Sequence, residues 1–209
     1  MEQQAAAIEN RNKKRKKAGT RSGKVNNREA LIRAGIKEMN SKGLDGFSVR
    51  HAAEICGVSC AAPAKHFGDR NGYIAAIMRT IIRQWHDIQG EIMERNAGDV
   101  RKALVESSIE YIKFLIDNPH FIFVLKVRDE KFESVFRDMR FEMSYATGRM
   151  IIKYCRQVGM PADVRERKLY VVRSLIYGAA LMFDNQEMKY TEEALENVRY
   201  SIDREFDLP

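Results

Sequence analysis

The stretch SVRHAAEICGVSCAAPAKHF, residues 48–67, reads as two short helical runs broken at Gly57. A small residue, Ala53, stands four positions before that glycine, and apolar residues bracket it. This is the spacing of a helix-turn-helix corner. Ala53 leaves room where the second helix crosses the first, Gly57 supplies the positive φ that the turn wants, and Val58 plugs the gap beneath. Corners of this kind set their second helix into the major groove of DNA, so the motif predicts a DNA reader.

Outward from the corner the pattern stays helical. Asn26 can cap a first helix, with Glu29 in the capping-box place and Leu31, Ala34, Gly35 and Met39 on one face, and Gly43 ends it. Ser48 caps the helix of Val49, Ala52, Ala53 and Cys56, and Ser59 is expected to cap the next, which runs to His66 and closes at Phe67 and Gly68. Pro63 is tolerable at the end of that helix's first turn. Asp69 opens a long helix through Tyr73, Ile77, Ile81, Trp85, Ile88 and Ile92 to Arg95, and Asp99 opens another, closed by Asn118 and Pro119. Residues 120–127 form a short apolar segment that suits a further helix, and a long one is expected from about Glu130 to Val158. The last two helices comprise the run from Val171 to Phe183, apolar nearly all round, and a segment behind a Thr191 cap. Gly178, Ala179 and Ala180 permit close helix approach; a subunit interface and a central core helix explain this pattern equally well. With no strand-like alternation, the fold class is all-α.

The 209 residues, 44% of them hydrophobic, suffice for a substantial core. No apolar run nears the roughly 20 residues of a membrane span. The polar, basic N-terminus lacks the apolar segment of a secretory signal, so a cytoplasmic location is expected. Cys56, Cys60 and Cys155 form no CxxC and read as reduced thiols. The net charge of +7 is uneven: residues 1–79 hold 16 Lys and Arg against 7 Asp and Glu, and the remainder 20 against 22. A polyanion is therefore expected at the N-terminal end. Residues 1–25, with the run RNKKRKKAGTRSGK, read as a disordered basic arm suited to phosphates or the minor groove. Residues 26–75 form the DNA-binding unit and 76–209 a helical ligand-binding and dimerisation body.

No HExxH, Gly-rich phosphate loop or GxSxG occurs, so neither catalysis nor a cofactor is expected. His51, Cys56, Cys60 and His66 match no standard zinc spacing, and Cys56 falls at a core position, so no metal is assigned. In the body, Phe114, Phe121, Phe136, Met143, Tyr154 and Tyr177, with Trp85 on the linking helix, are candidates to line an adaptable apolar cavity. Stripes at this spacing also serve as plain core.

The segment from Arg28 to about Met78 resembles the TetR (tetracycline repressor) family of bacterial regulators. The resemblance rests on FSVRHAAEICGVSCAAPAKHFGDRNGYIAAI: Ser-Val, Ala before Gly-Val-Ser, and His-Phe ahead of a long helix. It implies a ligand-responsive homodimer that joins through its last two helices, binds double-stranded DNA at a pseudo-palindromic operator and acts as a repressor. The alternative is an effector-free architectural or protein-interaction protein that binds DNA. The family commonly has Tyr where this chain has Ala64 and Lys where it has Arg70. By position, Arg50, Cys60, Ala61, Ala62 and Lys65 are expected to face base edges, with Arg50 and Lys65 suited to guanine O6 and N7. Ser48, Ser59, His66 and Arg70 are expected at phosphates, and Arg28 joins the DNA contacts.

Overall fold

The computed structural model describes residues 27–119 and 133–208, with the backbone alone at 133–136 and 140. Eight helices are found among these residues. They are α1 Asn27–Lys42, α2 Val49–Ile55, α3 Ala62–Phe67, α4 Arg70–Arg95, α5 Val100–Asp117, α6 Glu133–Gln157, α7 Ala162–Asp184 and α8 Glu192–Glu205. No strand occurs among the described residues, in keeping with the all-α reading. The basic arm, Asn26 and the segment 120–127 lie outside them.

Local chemistry explains most helix starts. Ser48, Asp69, Asp99 and Thr191 each accept, through a side-chain oxygen, the backbone N–H three residues on. Gly43, at φ 70°, ends α1 by returning its N–H to Met39 at 2.8 Å. Ser59 departs from expectation. The helix begins three residues later, Ala61 is its N-cap without a side-chain bond, and Ala62 N–H closes a turn onto the Ser59 carbonyl at 2.9 Å. A helix capped at Ser59 would need residue 63 to donate to that same carbonyl, and Pro63 has no N–H.

Two packing centres share α4. Around its first half lie α1, α2 and α3, where Tyr73 is fully buried, stacks on Phe67 at 4.4 Å, meets Phe47 edge-on at 5.3 Å and donates its hydroxyl to the Leu31 carbonyl at 2.5 Å. Gly35 lets α1 approach this closely, since a Cβ there would come within 2.5 Å of Ile77 Cδ1. Along the second half, Trp85 lies between Tyr111 and Phe114 of α5 and donates its indole N–H to the Met143 carbonyl of α6 at 3.3 Å. Gln89 Nε2 reaches Ser107 Oγ at 3.3 Å and Thr147 Oγ1 at 3.0 Å, a buried polar tie across α4, α5 and α6.

The central place belongs to α5, which packs on α4, α6, α7 and α8. Although the run from Val171 to Phe183 is apolar nearly all round, within one chain the burial of α7 is one-sided. Val172, Ile176, Ala179, Ala180 and Phe183 face inward, while Tyr170 is 74% exposed and Ser174 and Met182 are open. Of the small-residue patch, Ala179 and Ala180 are core, and only Gly178 has open space at its Cβ position.

Two cations fasten α8 at its C-terminal end, where the helix dipole is negative. Lys168 of α7, 0% exposed, donates to the carbonyls of Glu205 at 2.7 Å and Leu208 at 2.9 Å, and to Glu205 Oε1 at 3.1 Å. Arg101 of α5 donates to the carboxylates of Asp203 and Asp207, each at 2.7 Å, and the guanidinium holds the Asp207 carboxyl below its ordinary range. Replacing Lys168 with Met keeps the volume but strands a carboxylate and two carbonyls. Urea melts at fixed protein concentration are expected to show a loss of about 2–3 kcal/mol; an unchanged midpoint would deny Lys168 this role.

Candidate DNA-reading corner and body groove

The corner between α2 and α3 is closed by its own backbone. Gly57, at φ 65°, donates to Glu54 O at 3.0 Å, and Val58 N–H reaches back to Ala53 O at 3.1 Å. This pair of bonds is the glycine-terminated helix ending of the Schellman type. Ala53 is 0% exposed, so a larger side chain has no room where the helices cross.

With the turn fixed, Arg50, Ser59, Cys60, Ala61, Lys65 and His66 are all exposed, and Ala62 is half-buried. Ala64, where the family commonly carries Tyr, is also exposed. Arg50 Nε pairs with Glu54 Oε1 at 3.1 Å in a solvent-exposed contact, which is worth little and yields readily to a better acceptor. The Ser48 hydroxyl oxygen accepts the His51 N–H at 3.2 Å, leaving its own proton to donate. The exposed Arg28 holds its guanidinium 5.4 Å from the centre of the Phe67 ring.

Arg70 turns inward instead of standing open to a phosphate. Its Nη2 donates to Leu44 O at 2.6 Å and its Nε to Phe47 O at 3.4 Å. The 43–48 loop bends back over the start of α4, and two of its carbonyls, that of Leu44 already accepting the Phe47 N–H at 3.3 Å, take up the Arg70 guanidinium.

Sequence reading missed Glu38, which is buried on α1. Its Oε2 lies 2.5 Å from His51 Nδ1, while Lys42 Nζ stands 3.6 Å from Oε1, so the carboxylate ties α1 to α2. This commits to Glu38 a histidine that stood among the candidate metal ligands. Burial works against ionisation of Glu38, but the hydrogen bond and charge of His51, with Lys42, outweigh it and hold the carboxyl below its ordinary range.

The second feature is a groove of 1340 Å³ on the body, lined chiefly by α6 and α7 with Met93 of α4 at one edge. Phe141 and Tyr145 stand in it with ring centres 5.3 Å apart, Phe141 being 65% exposed. Arg137, Arg149, Lys153, Arg156 and Arg173 supply its charge, and Met150, Ile152, Leu169 and Leu181 supply apolar surface. Of the cavity candidates among the described residues, Tyr177 alone lines it. Trp85, Phe114 and Met143 are packed into the core, and Tyr154 lies edge-on to Phe206. Phe121 and the side chain of Phe136 lie outside the described residues. The aromatic stripes read from sequence are the inward faces, which burial claims first; the groove uses the outer face of α6. Its signal was present as a stretch from Met143 to Ala162 with Arg149, Lys153 and Arg156 but no acidic residue.

No family model matches the chain, and no curated protein matches it in sequence. Solved structures do match in fold. A Rhodococcus sp. protein assigned to the TetR-family transcriptional regulators superposes with a TM-score of 0.65 at 21% identity, over 85% of this chain and 97% of that one. The TetR family transcriptional regulator PfmR from Thermus thermophilus gives 0.60 at 18%, over 85% and 97%. The transcriptional regulator FadR from Bacillus subtilis, solved in complex with stearoyl-CoA, gives 0.67 at 10%, over 84% and 95%. The class is thus an all-helical chain with a helix-turn-helix corner on a larger helical body. Its fold is that of the TetR-family transcriptional regulators.

The Glu38 pair has a defined pH window. A carboxyl whose pKa is lowered by folding contributes stability above its unfolded value, near 4.3, and that contribution is lost as pH falls through the lowered folded value. The melting-temperature gap between the native chain and Glu38→Gln is therefore expected to be full at pH 6 and to shrink on acidification below about pH 4. A gap unchanged down to pH 2.5, about two units below the unfolded value, would rule the linkage out.

Proposed function

We propose that this chain is a TetR-family transcriptional regulator of the cytoplasm. In this reading it is a homodimer whose two heads hold a pseudo-palindromic duplex and release it, as a repressor does, when a small amphipathic molecule occupies the body. The observation that carries the reading is α4. One helix runs without a break from the corner bearing exposed Arg50 and Lys65 to the body groove, which it meets at Met93.

Dimerisation through the last two helices is supported by the outer surface of α7 and α8. Tyr170, Ser174, Gly178 and Met182 recur every four residues, and Tyr200 of α8 is 66% exposed. Large apolar side chains left open on adjoining helices are the usual mark of an interface. Two-fold symmetry would present the recognition helices to successive major grooves, with half-site centres roughly 10 bp apart or somewhat more.

Release follows from coupling along α4. A ligand that wedges between α6 and α7 acts on Met93 directly, and on Trp85 through its bond to Met143. Moving heads from 99% engaged to 1% requires about 5.5 kcal/mol of differential affinity between the two states.

Selection of bound duplexes from a random library tests this reading as a whole, and symmetric sites bound by a dimer are expected. Monomers at micromolar concentration that select asymmetric sites would overturn it. On the selected site, Arg50→Ala and Lys65→Ala should each cost about 1–3 kcal/mol and relax preference at one base position. Deleting residues 1–25 should weaken all sequences alike and flatten the salt dependence, as expected for phosphate contacts. Competition binding across single-base variants separates these roles.

A further inference from the structure

The charge of the body groove is one-sided. Arg137, Arg149, Lys153 and Arg156 of α6 and Arg173 of α7 line it, and among the described residues no Asp or Glu does, although the chain beyond residue 79 carries a slight acidic excess. No ion pair to a carboxylate joins any of the five among the described residues. Arg149 and Arg173 instead rest 5.6 and 5.9 Å from the ring centres of Tyr145 and Tyr177, and Arg173 Nη2 lies 3.5 Å from Ser144 Oγ. Arg149, Lys153 and Arg156 follow at four and three residues, so like charges neighbour one another along one stripe, at some cost to the helix. The lining residues of α6, from 137 to 157, cover roughly 30 Å of helix. The volume of 1340 Å³ exceeds the ~300–1,000 Å³ of pockets for compact ligands.

We infer that this groove binds an elongated amphipath, its apolar tail against Phe141, Tyr145 and the apolar side chains between α6 and α7, and its multiply charged, phosphate-bearing head on the cationic stripe of α6. A single carboxylate is satisfied by one or two donors, whereas five cations with no carboxylate partner among the described residues match a head with several negative charges. A second copy of the chain is disfavoured on this face because it would set cations against cations. A DNA duplex would answer the charge but leave Phe141 and its apolar neighbours uncovered. The inference rests on the proposed regulator reading, for which it names the class of effector.

Calorimetry on the full chain tests it with four probes: stearoyl-CoA, stearate, coenzyme A alone, and an uncharged alkyl glycoside below its micellar concentration. Stearoyl-CoA is expected to bind at least about tenfold tighter than each of the others, with affinity falling as salt rises. Arg149→Gln with Lys153→Gln should weaken stearoyl-CoA at least about tenfold and leave the alkyl glycoside unaffected. Phe141→Ala should weaken both. Equal or tighter binding of the uncharged probe, or an unchanged double variant, would overturn the inference. Titrating the same proteins with duplex chosen from a random library keeps the two readings apart. Loss of duplex affinity in the double variant without ligand would make the groove a nucleic-acid contact and overturn the inference. Duplex binding by the native chain with no response to any amphipath overturns the groove assignment and leaves the regulator. Stearoyl-CoA binding without duplex binding supports the groove and removes the regulator.

Discussion

The structure hangs on the burial of Tyr73. One side chain on the first turn of α4 stacks on the end of α3, meets the loop before α2 edge-on, and gives its hydroxyl to a carbonyl of α1. Phe67, the last residue of α3, stacks on that ring, and Gly35, with no Cβ, leaves room for Ile77 and the Tyr73 hydroxyl where α1 approaches α4. A buried hydroxyl without a partner costs about 1–3 kcal/mol, so the Leu31 bond specifies the register of α1 as well as stabilising it. The exposure of Arg50 and Lys65 depends on this clamp, since α2 and α3 are too short to hold a fixed orientation by themselves.

The same helix then becomes a core element of a second centre. Trp85 and Gln89 replace Tyr73 as its anchors, each with a polar bond to α6 or α5 set in an otherwise apolar surround. Polar ties inside a core are directional, whereas apolar contacts tolerate sliding, so these bonds fix how α4 is rotated against the body. A shift of α6 therefore reaches α4 through the Met143 carbonyl, and α4 has no hinge before the corner. Lys168 and Arg101 hold the C-terminal end of α8 against α7 and α5.

Two outer surfaces are left over once these cores are satisfied, and they differ in kind. The open face of α7 and α8 carries Tyr170, Met182 and Tyr200, large and uncharged in character. The groove beside α6 mixes aromatic rings with cationic side chains. In the proposed reading the first serves self-association and the second takes an anion with an apolar tail, because like charges oppose the pairing of identical faces while leaving an anionic guest favoured.

Sequence alone determined the features that depend on a few consecutive residues. The four capping side chains, the stop at Gly43, the turn at Gly57 and the all-helical class are set by backbone bonds and φ preferences within one turn of chain, so they could be read directly. Ser59 misled because Pro63, four positions on, reads as tolerable at the end of a first turn, whereas its missing N–H removes the first bond that a helix capped at Ser59 needs. What only the tertiary structure decided was which face of each helix turns inward. The aromatic stripe supplied core residues where a cavity was expected, Arg70 found carbonyls across a loop, Glu38 found His51 thirteen residues away, and the cationic side of α6 met α7 to make a groove. Each of these depends on helices distant in sequence coming together, and helical periodicity fixes the direction of a side chain on its own helix without fixing what lies opposite it.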